Sequence, residues 1–176
     1  MSLFSKVAWK EGLFLPPQHL QQSDRYVEKL IDARTRNLAP YPWGVTELTL
    51  DRDMAQQGKV GLRRVTGIMP DGTPFDAPNN SPLPTAIDAP DNAAGLFIWL
   101  TLPEASQNGR DVGLDEEGST TRYRLDSEHV ADNASAMRVE HTLEIAVPRL
   151  ELAIRKTPKP GYLNLRLARI NEVRDG

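Results

Sequence analysis

Three histidines, His19, His129 and His141, are the only imidazoles the chain offers as a general base, and none has the neighbours that base catalysis needs. A nucleophilic triad requires a hydroxyl or thiol within reach of the base and an acid that orients the base from behind. His19 falls in the first turn of an expected helix. His129 and His141 flank a polar stretch, and neither stands beside a glycine-framed serine elbow. No two histidines are two or four residues apart, the spacing that turns two imidazoles toward one ion, so no zinc site is expected. The chain has no cysteine, which removes thiolate ligands, disulfides and a cysteine nucleophile together and fits a reducing compartment.

The carboxylates form no clearer constellation. Asp51 and Asp53 are expected on one face of a strand. Asp111, Asp115, Glu116 and Glu117 crowd one loop where calcium could be drawn, but the EF-hand spacing is missing, and solvated loop charge is the plainer reading. The loop around Asp115 to Gly118 is assigned no role. Nothing marks any two acids as the pair that would flank a glycosidic bond. Gly58 and Gly61 lack the lysine and the strand-to-helix setting of a phosphate-binding loop. Arg63–Arg64 and Arg155–Lys156 read as solvent-facing charge that blunts sheet edges. The chain is therefore expected to be no enzyme, with no cofactor and no metal.

What remains is apolar and aromatic: Trp9, Leu13, Phe14 and Leu15 on an N-terminal strap, then Leu20 on the helix that follows. Such side chains either pack on their own domain or are completed by another chain, and both can hold together.

The elements that would position them follow from periodicity. Pro17 opens a helix, because proline is tolerated in the first turn, and the helical pattern runs to about Leu38. Leu20, Val27, Leu30, Ile31 and Leu38 share one narrow stripe, with Asp24, Arg25, Glu28, Lys29, Asp32 and Arg36 on the solvent side. Pro40 and Pro42 end it. The period then changes from 3.6 to 2: Val45, Leu48 and Leu50 begin a strand-rich region that continues through residues 60–68. Residues 69–95 hold six prolines and are expected to be an extended strap over a sheet edge, anchored by Phe75, Leu83 and Ile87, with a tight turn at Asp71–Gly72. The run LFIWLTL at 96–102 suits a central strand buried on both faces. Residues 121–130 read as another strand. Three half-buried strands follow, carrying Leu143, Ile145 and Val147, then Leu150, Leu152 and Ile154, then Leu163, Leu165 and Leu167.

One helix and about eight strands predict a mainly β fold, a β-sandwich with an N-terminal α-helix. Residues 1–16 form the strap and 17–176 the helix plus sandwich as a single domain. A chain of 176 residues is long enough to bury a core without staples. Its net charge of −3 supplies no positive field for a phosphate backbone, so nucleic acid is not an expected partner. No secretion signal or bilayer-spanning apolar run is present, so no membrane insertion is expected and the cytoplasm is the default location. The closing Asp175–Gly176 is a hairpin signal with no strand after it, which suggests a chain cut from a longer one.

Several blocks carry a resemblance. VAWKEGLFLPPQHLQQSDRY at 7–26, DGTPFD at 71–76, SPLPTAID at 81–88, LFIWLTLP at 96–103, the Arg-Tyr pair within 121–124 and YLNLRLARI at 162–170 are similar, in order, to the N-terminal part of the TssK family, baseplate subunits of the bacterial type VI secretion system. The opening block is the specific one. The resemblance implies a shoulder domain similar to that of siphophage receptor-binding proteins, in a subunit that is a homotrimer when complete. It implies partners TssF and TssG, which form the baseplate wedge. A helical neck and a head, which this chain lacks, would reach TssL and TssM at the inner-membrane-docked baseplate. The residues it marks for protomer or wedge contacts are Trp9, Glu11, Phe14, Leu15, Pro16, Pro17, His19 and Leu20. A carbohydrate- or receptor-binding sandwich is the rival; it would need an open face with aromatic platforms among Trp9, Trp43 and Trp99.

Overall fold

The computed structural model describes residues 5–106, 110–114, 121–134 and 140–173. The acidic positions 115–117 and the Asp175–Gly176 turn signal lie outside these residues. Contacts divide the chain into two compact units, Met1–Pro42 and Trp43–Gly176.

The first unit is the strap and helix α1, Pro17–Thr35. Pro16 stands at the N-cap in extended backbone and Pro17 at the first helical position, where a missing N–H is no loss. The helix stops three residues short of the stripe's end, and Leu38 N donates to Thr35 O in the closing turn. Arg36 and Lys29 hold Asp32 at 2.5 and 3.4 Å. Burial acts against the ionised form of Asp32, but these two cations outweigh it and hold the carboxyl below its ordinary value.

The second unit is mainly β. In chain order it contains β1 (Gly44–Leu50), α2 (Arg52–Gln56), β2 (Lys59–Val60), β3 (Leu62–Ile68), β4 (Pro74–Ala77), β5 (Ile87–Asp88), β6 (Phe97–Pro103), β7 (Val112–Gly113), β8 (Tyr123–Ala131), β9 (Glu140–Pro148), β10 (Glu151–Arg155) and β11 (Tyr162–Arg169). Two antiparallel three-stranded sheets, ordered β1-β3-β4 and β10-β6-β11, contribute to one core. Leu62, Val65, Phe75 and Ala77 come from the first sheet, and Ile98, Leu100, Leu102, Leu152 and Leu165 from the second. This is the sandwich relation, two inner faces sharing one apolar layer.

Each sheet is built as its residues demand. The run at 96–102 becomes β6, flanked by β10 and β11 and buried at Ile98, Leu100 and Leu102, so a continuous apolar stretch ends in the central position. The proline-rich stretch contributes β4, which among the described residues pairs only with β3, placing Pro74 at the start of an edge strand where no ladder N–H is needed. Phe75 is buried, and Leu83 and Ile87 pack against the core, so the three expected anchors tie the stretch down. β3 passes β1 closely at Gly67: a Cβ there would lie 2.2 Å from Gly44 O and 2.8 Å from Phe75 Cζ.

Three expectations are corrected. The Asp51–Asp53 segment is no strand face but the start of α2, with the Asp51 carboxylate accepting from the backbone N–H of Asp53 and Met54 at 2.9 and 3.1 Å. Gly58, at φ 73°, lets the chain leave that helix. The described residues carry eleven strands rather than about eight, because two-residue pairings such as β2–β5 and the parallel β7–β8 contact leave no periodic trace. And β9 is not half-buried throughout: Val147 is buried but Leu143 is 48% exposed.

Candidate interaction site

Polar and aromatic contacts hold the N-terminal unit together. Gly12, at φ 76°, turns the strap so that Leu13 N donates to Lys10 O at 3.2 Å. The Gln22 side-chain amide donates to Ser5 O at 2.7 Å, which lays the strap's beginning along α1. Trp9 meets His19 with ring centroids 6.2 Å apart at 36°, within the range of aromatic pairs. An open depression of about 490 Å³ lies here, lined by Val7, Ala8, Gln18, His19, Gln22 and Arg25. It holds no carboxylate.

The marked residues therefore fall into two groups. Trp9 and His19 are in contact, and Pro16 and Pro17 set the helix start. Phe14 is 85% exposed, and Leu15 and Leu20 are exposed as well; Glu11 is also at the surface. The stripe of α1 behaves alike: Val27, Leu30, Ile31 and Leu38 are all exposed and no residue of the helix is buried. Full burial of a wholly exposed side chain of this kind gains about 1.5–3 kcal/mol, and each of these forgoes a share of that in proportion to its exposure. Large exposed apolar side chains are the kind that interfaces between chains use.

The positions considered for chemistry are placed otherwise. His129 and His141 sit on β8 and β9, where His129 pairs with Thr142 and His141 with Val130. Neighbouring cross-strand pairs alternate faces, so the two imidazoles point to opposite sides. His129 Nδ1 lies 3.2 Å from Thr142 Oγ1. Asp51 and Asp53 are brought together by Arg63, which binds both. The backbone N–H of Met54, then Arg63, hold Asp51 below its ordinary value, and the same pairing raises Arg63. Arg64 engages Glu47 at 2.5 Å and Asp76 at 3.5 Å. Asp111 accepts from Ser106 N at 2.8 Å. Among the described residues no three acids or histidines gather to hold a metal. A second depression, lined by the proline stretch, Arg124, Arg149 and Glu151, has one carboxylate where glycoside hydrolysis would need two. Trp9 and Trp43 are exposed, while Trp99 donates to Arg155 O at 3.1 Å and sets its ring at 72° to Phe97.

Two features were given no structural role by the sequence, although Arg122 belongs to the Arg-Tyr pair that carries part of the resemblance. Arg122 is 4% exposed and donates to Asp71, to Thr73, to Pro103 O at 3.1 Å and to the Tyr123 hydroxyl at 3.3 Å. It joins the β3–β4 turn, the end of β6 and the start of β8. The other is the exposed outer part of the β8–β9 ribbon.

The fold defines a class: a mainly β module with a helical N-terminal unit that carries several exposed large apolar side chains. Residues 19–176 match the bacterial type VI secretion family of EvfL, ImpJ and VasE. The chain is 34% identical over 177 positions to the type VI secretion system baseplate component TssK1 of Pseudomonas aeruginosa, a match that covers 99% of this chain and 39% of that protein. Its fold matches a crystal structure of TssK at a TM-score of 0.87 and 31% identity, covering 97% of this chain and 39% of the other. A TssK–TssF–TssG baseplate subcomplex seen by cryo-electron microscopy is alike in fold, at a TM-score of 0.83 and 23% identity over 93% of this chain and 55% of the other. The chain belongs to the TssK family of type VI secretion proteins. It spans 39% of the length of the Pseudomonas aeruginosa relative. No helix among the described residues is long and apolar enough to cross a membrane.

Proposed function

We propose that this chain is the shoulder portion of a type VI secretion baseplate subunit and works by surface complementarity, with no bond-making step. Its partners are the wedge proteins TssF and TssG, and in the complete subunit two further copies of itself. The single observation that supports this best is the uncovered apolar surface of the N-terminal unit, Phe14, Leu15, Leu20 and the α1 stripe, in a chain 34% identical to a baseplate component. The naming of TssF and TssG beside TssK in a solved subcomplex of the same fold supplies the partner class. In this reading the link to TssL and TssM runs through further domains, and the site of work is the cytoplasmic face of the inner membrane where the baseplate docks. In this reading the module is an adaptor between a symmetric trimer and a wedge, as a phage-like shoulder would be.

The test is co-purification. Tagged TssF–TssG is expected to capture the wild-type chain and to lose the Phe14→Glu, Leu15→Glu variant, with circular dichroism unchanged. Capture of that variant at the wild-type level would remove the strap from the interface.

A further inference from the structure

Strand β6 turns Ile98, Leu100 and Leu102 into the core, so alternation sets Phe97, Trp99 and their cross-strand neighbours on the outer face of the β10-β6-β11 sheet. There Phe97 stands between Arg155 of β10 and Arg169 of β11, and Trp99 stands between Ala153 and Arg166. Arg166 also lies over the Phe97 ring, 4.9 Å from its centroid, so three guanidiniums surround one aromatic side chain. All three arginines are exposed. Among the described residues none of the three forms an ion pair, with Glu104 beyond β6, with Glu172 beyond β11 or with any other acid. The one acid on this face, Glu151, is held by Lys159 at 2.6 Å, and that lysine lies 3.4 Å above the Tyr162 ring. Residues 96–103 and 150–170, the three strands with the turn between β10 and β11, hold Arg155, Lys156, Lys159, Arg166 and Arg169 against Glu151 alone, in a chain whose net charge is −3.

We infer that this outer sheet face docks an acidic segment of another polypeptide, one that brings two or three carboxylates close together with an apolar side chain beside them. Guanidiniums bind carboxylates through paired, charge-assisted hydrogen bonds, and the partner's apolar side chain rests against the half-buried Phe97–Trp99 pair. Charge complementarity names the occupant: like charges gathered around one ring repel, and a partner's carboxylates remove that repulsion. A single-stranded nucleic acid needs open ring faces on which its bases stack. Here Arg166 covers a face of Phe97, Lys159 covers a face of Tyr162, and Trp99 stands at 72° to Phe97. A second copy laid face to face would set arginines against arginines. Every residue of this surface belongs to the second unit, so its binding is measured independently of wedge capture through the strap.

The probe is a synthetic peptide of alternating valine and glutamate, titrated at low salt into the isotope-labelled chain and followed by backbone NMR. An alternating valine–glutamine peptide and an oligodeoxythymidine serve as references. The valine–glutamate peptide is expected to shift amides in β6, β10 and β11 around Phe97 and Trp99, and each reference to bind at least about tenfold more weakly. The double variant Arg155→Gln, Arg169→Gln is expected to weaken peptide binding about tenfold while leaving the melting temperature unchanged, since both side chains are exposed. Equal response to the glutamate and glutamine peptides, shifts confined to other elements, or full binding by the double variant would overturn the inference. So would tighter binding of the oligonucleotide than of the peptide, or self-association of the chain that the double variant abolishes in light scattering, because the occupant would then be a nucleic acid or a second copy.

Discussion

Replacing Arg122 by methionine removes a buried cation while keeping most of its apolar length. The guanidinium donates to two side chains of the β3–β4 turn, to the β6 carbonyl of Pro103 and to the Tyr123 hydroxyl. Truncating one partner of a buried ion pair costs about 3–5 kcal/mol, because the partner left behind keeps its desolvation penalty. Here the partner, Asp71, has a side chain 34% exposed, so water recovers part of that term as at a surface pair. The Pro103 carbonyl, facing a buried methionine, loses its donor for about 1–3 kcal/mol. The balance is a loss of about 3 kcal/mol, or roughly 10 °C in melting temperature for a unit of this size. Urea and thermal unfolding followed by circular dichroism measure it. Asp71→Asn, which keeps an acceptor for the guanidinium, is expected to lose only about 1 kcal/mol. If Arg122→Met unfolds within about 0.5 kcal/mol of the wild type, the three-way junction contributes no net stability, and the reasoning from unsatisfied donors and acceptors fails at this site.

Asp51 gives a pH prediction. The Met54 N–H and Arg63 depress its folded value below 3.8, so its stabilisation of α2 is fully present above the unfolded value and is lost as pH falls through the folded one. Exchange protection of the Met54 amide should decline over that acid range, and Asp51→Asn, which keeps a capping oxygen, should remove the dependence. Gly67→Ala sets a Cβ 2.2 Å from Gly44 O; β1 must move off β3, and a loss of about 2–3 kcal/mol is expected in urea unfolding. The Phe14→Glu, Leu15→Glu pair should abolish wedge capture with less than about 0.5 kcal/mol change in stability, since both side chains are exposed.

Much of the architecture follows from local pattern alone. Pro16–Pro17 fix where a helix can begin, since ring geometry and the missing N–H act at the residue itself. The unbroken apolar run at 96–102 specifies a strand inside its sheet, although only the face of Ile98, Leu100 and Leu102 is fully buried while Phe97 and Trp99 opposite are half-buried. Alternation at 150–154 and 163–167 specifies which face of β10 and β11 turns inward. Absence of cysteine and the scattering of histidine likewise restrict the chemistry before any fold is known.

Other features need the tertiary structure because their causes are not local. Helix α2 is five residues long, too short for a period to register, and its start rests on one aspartate cap. Alternation at Leu143, Ile145 and Val147 says that these side chains share a face; whether anything lies over that face depends on where the ribbon leaves the core, so Val147 is covered and Leu143 is not. The Arg122 junction joins residues 49 and 51 positions apart, and no spacing rule links them. The stripe of α1, whose apolar residues are exposed, is a further case, since a period of 3.6 marks an apolar face identically whether its partner is the same chain or another.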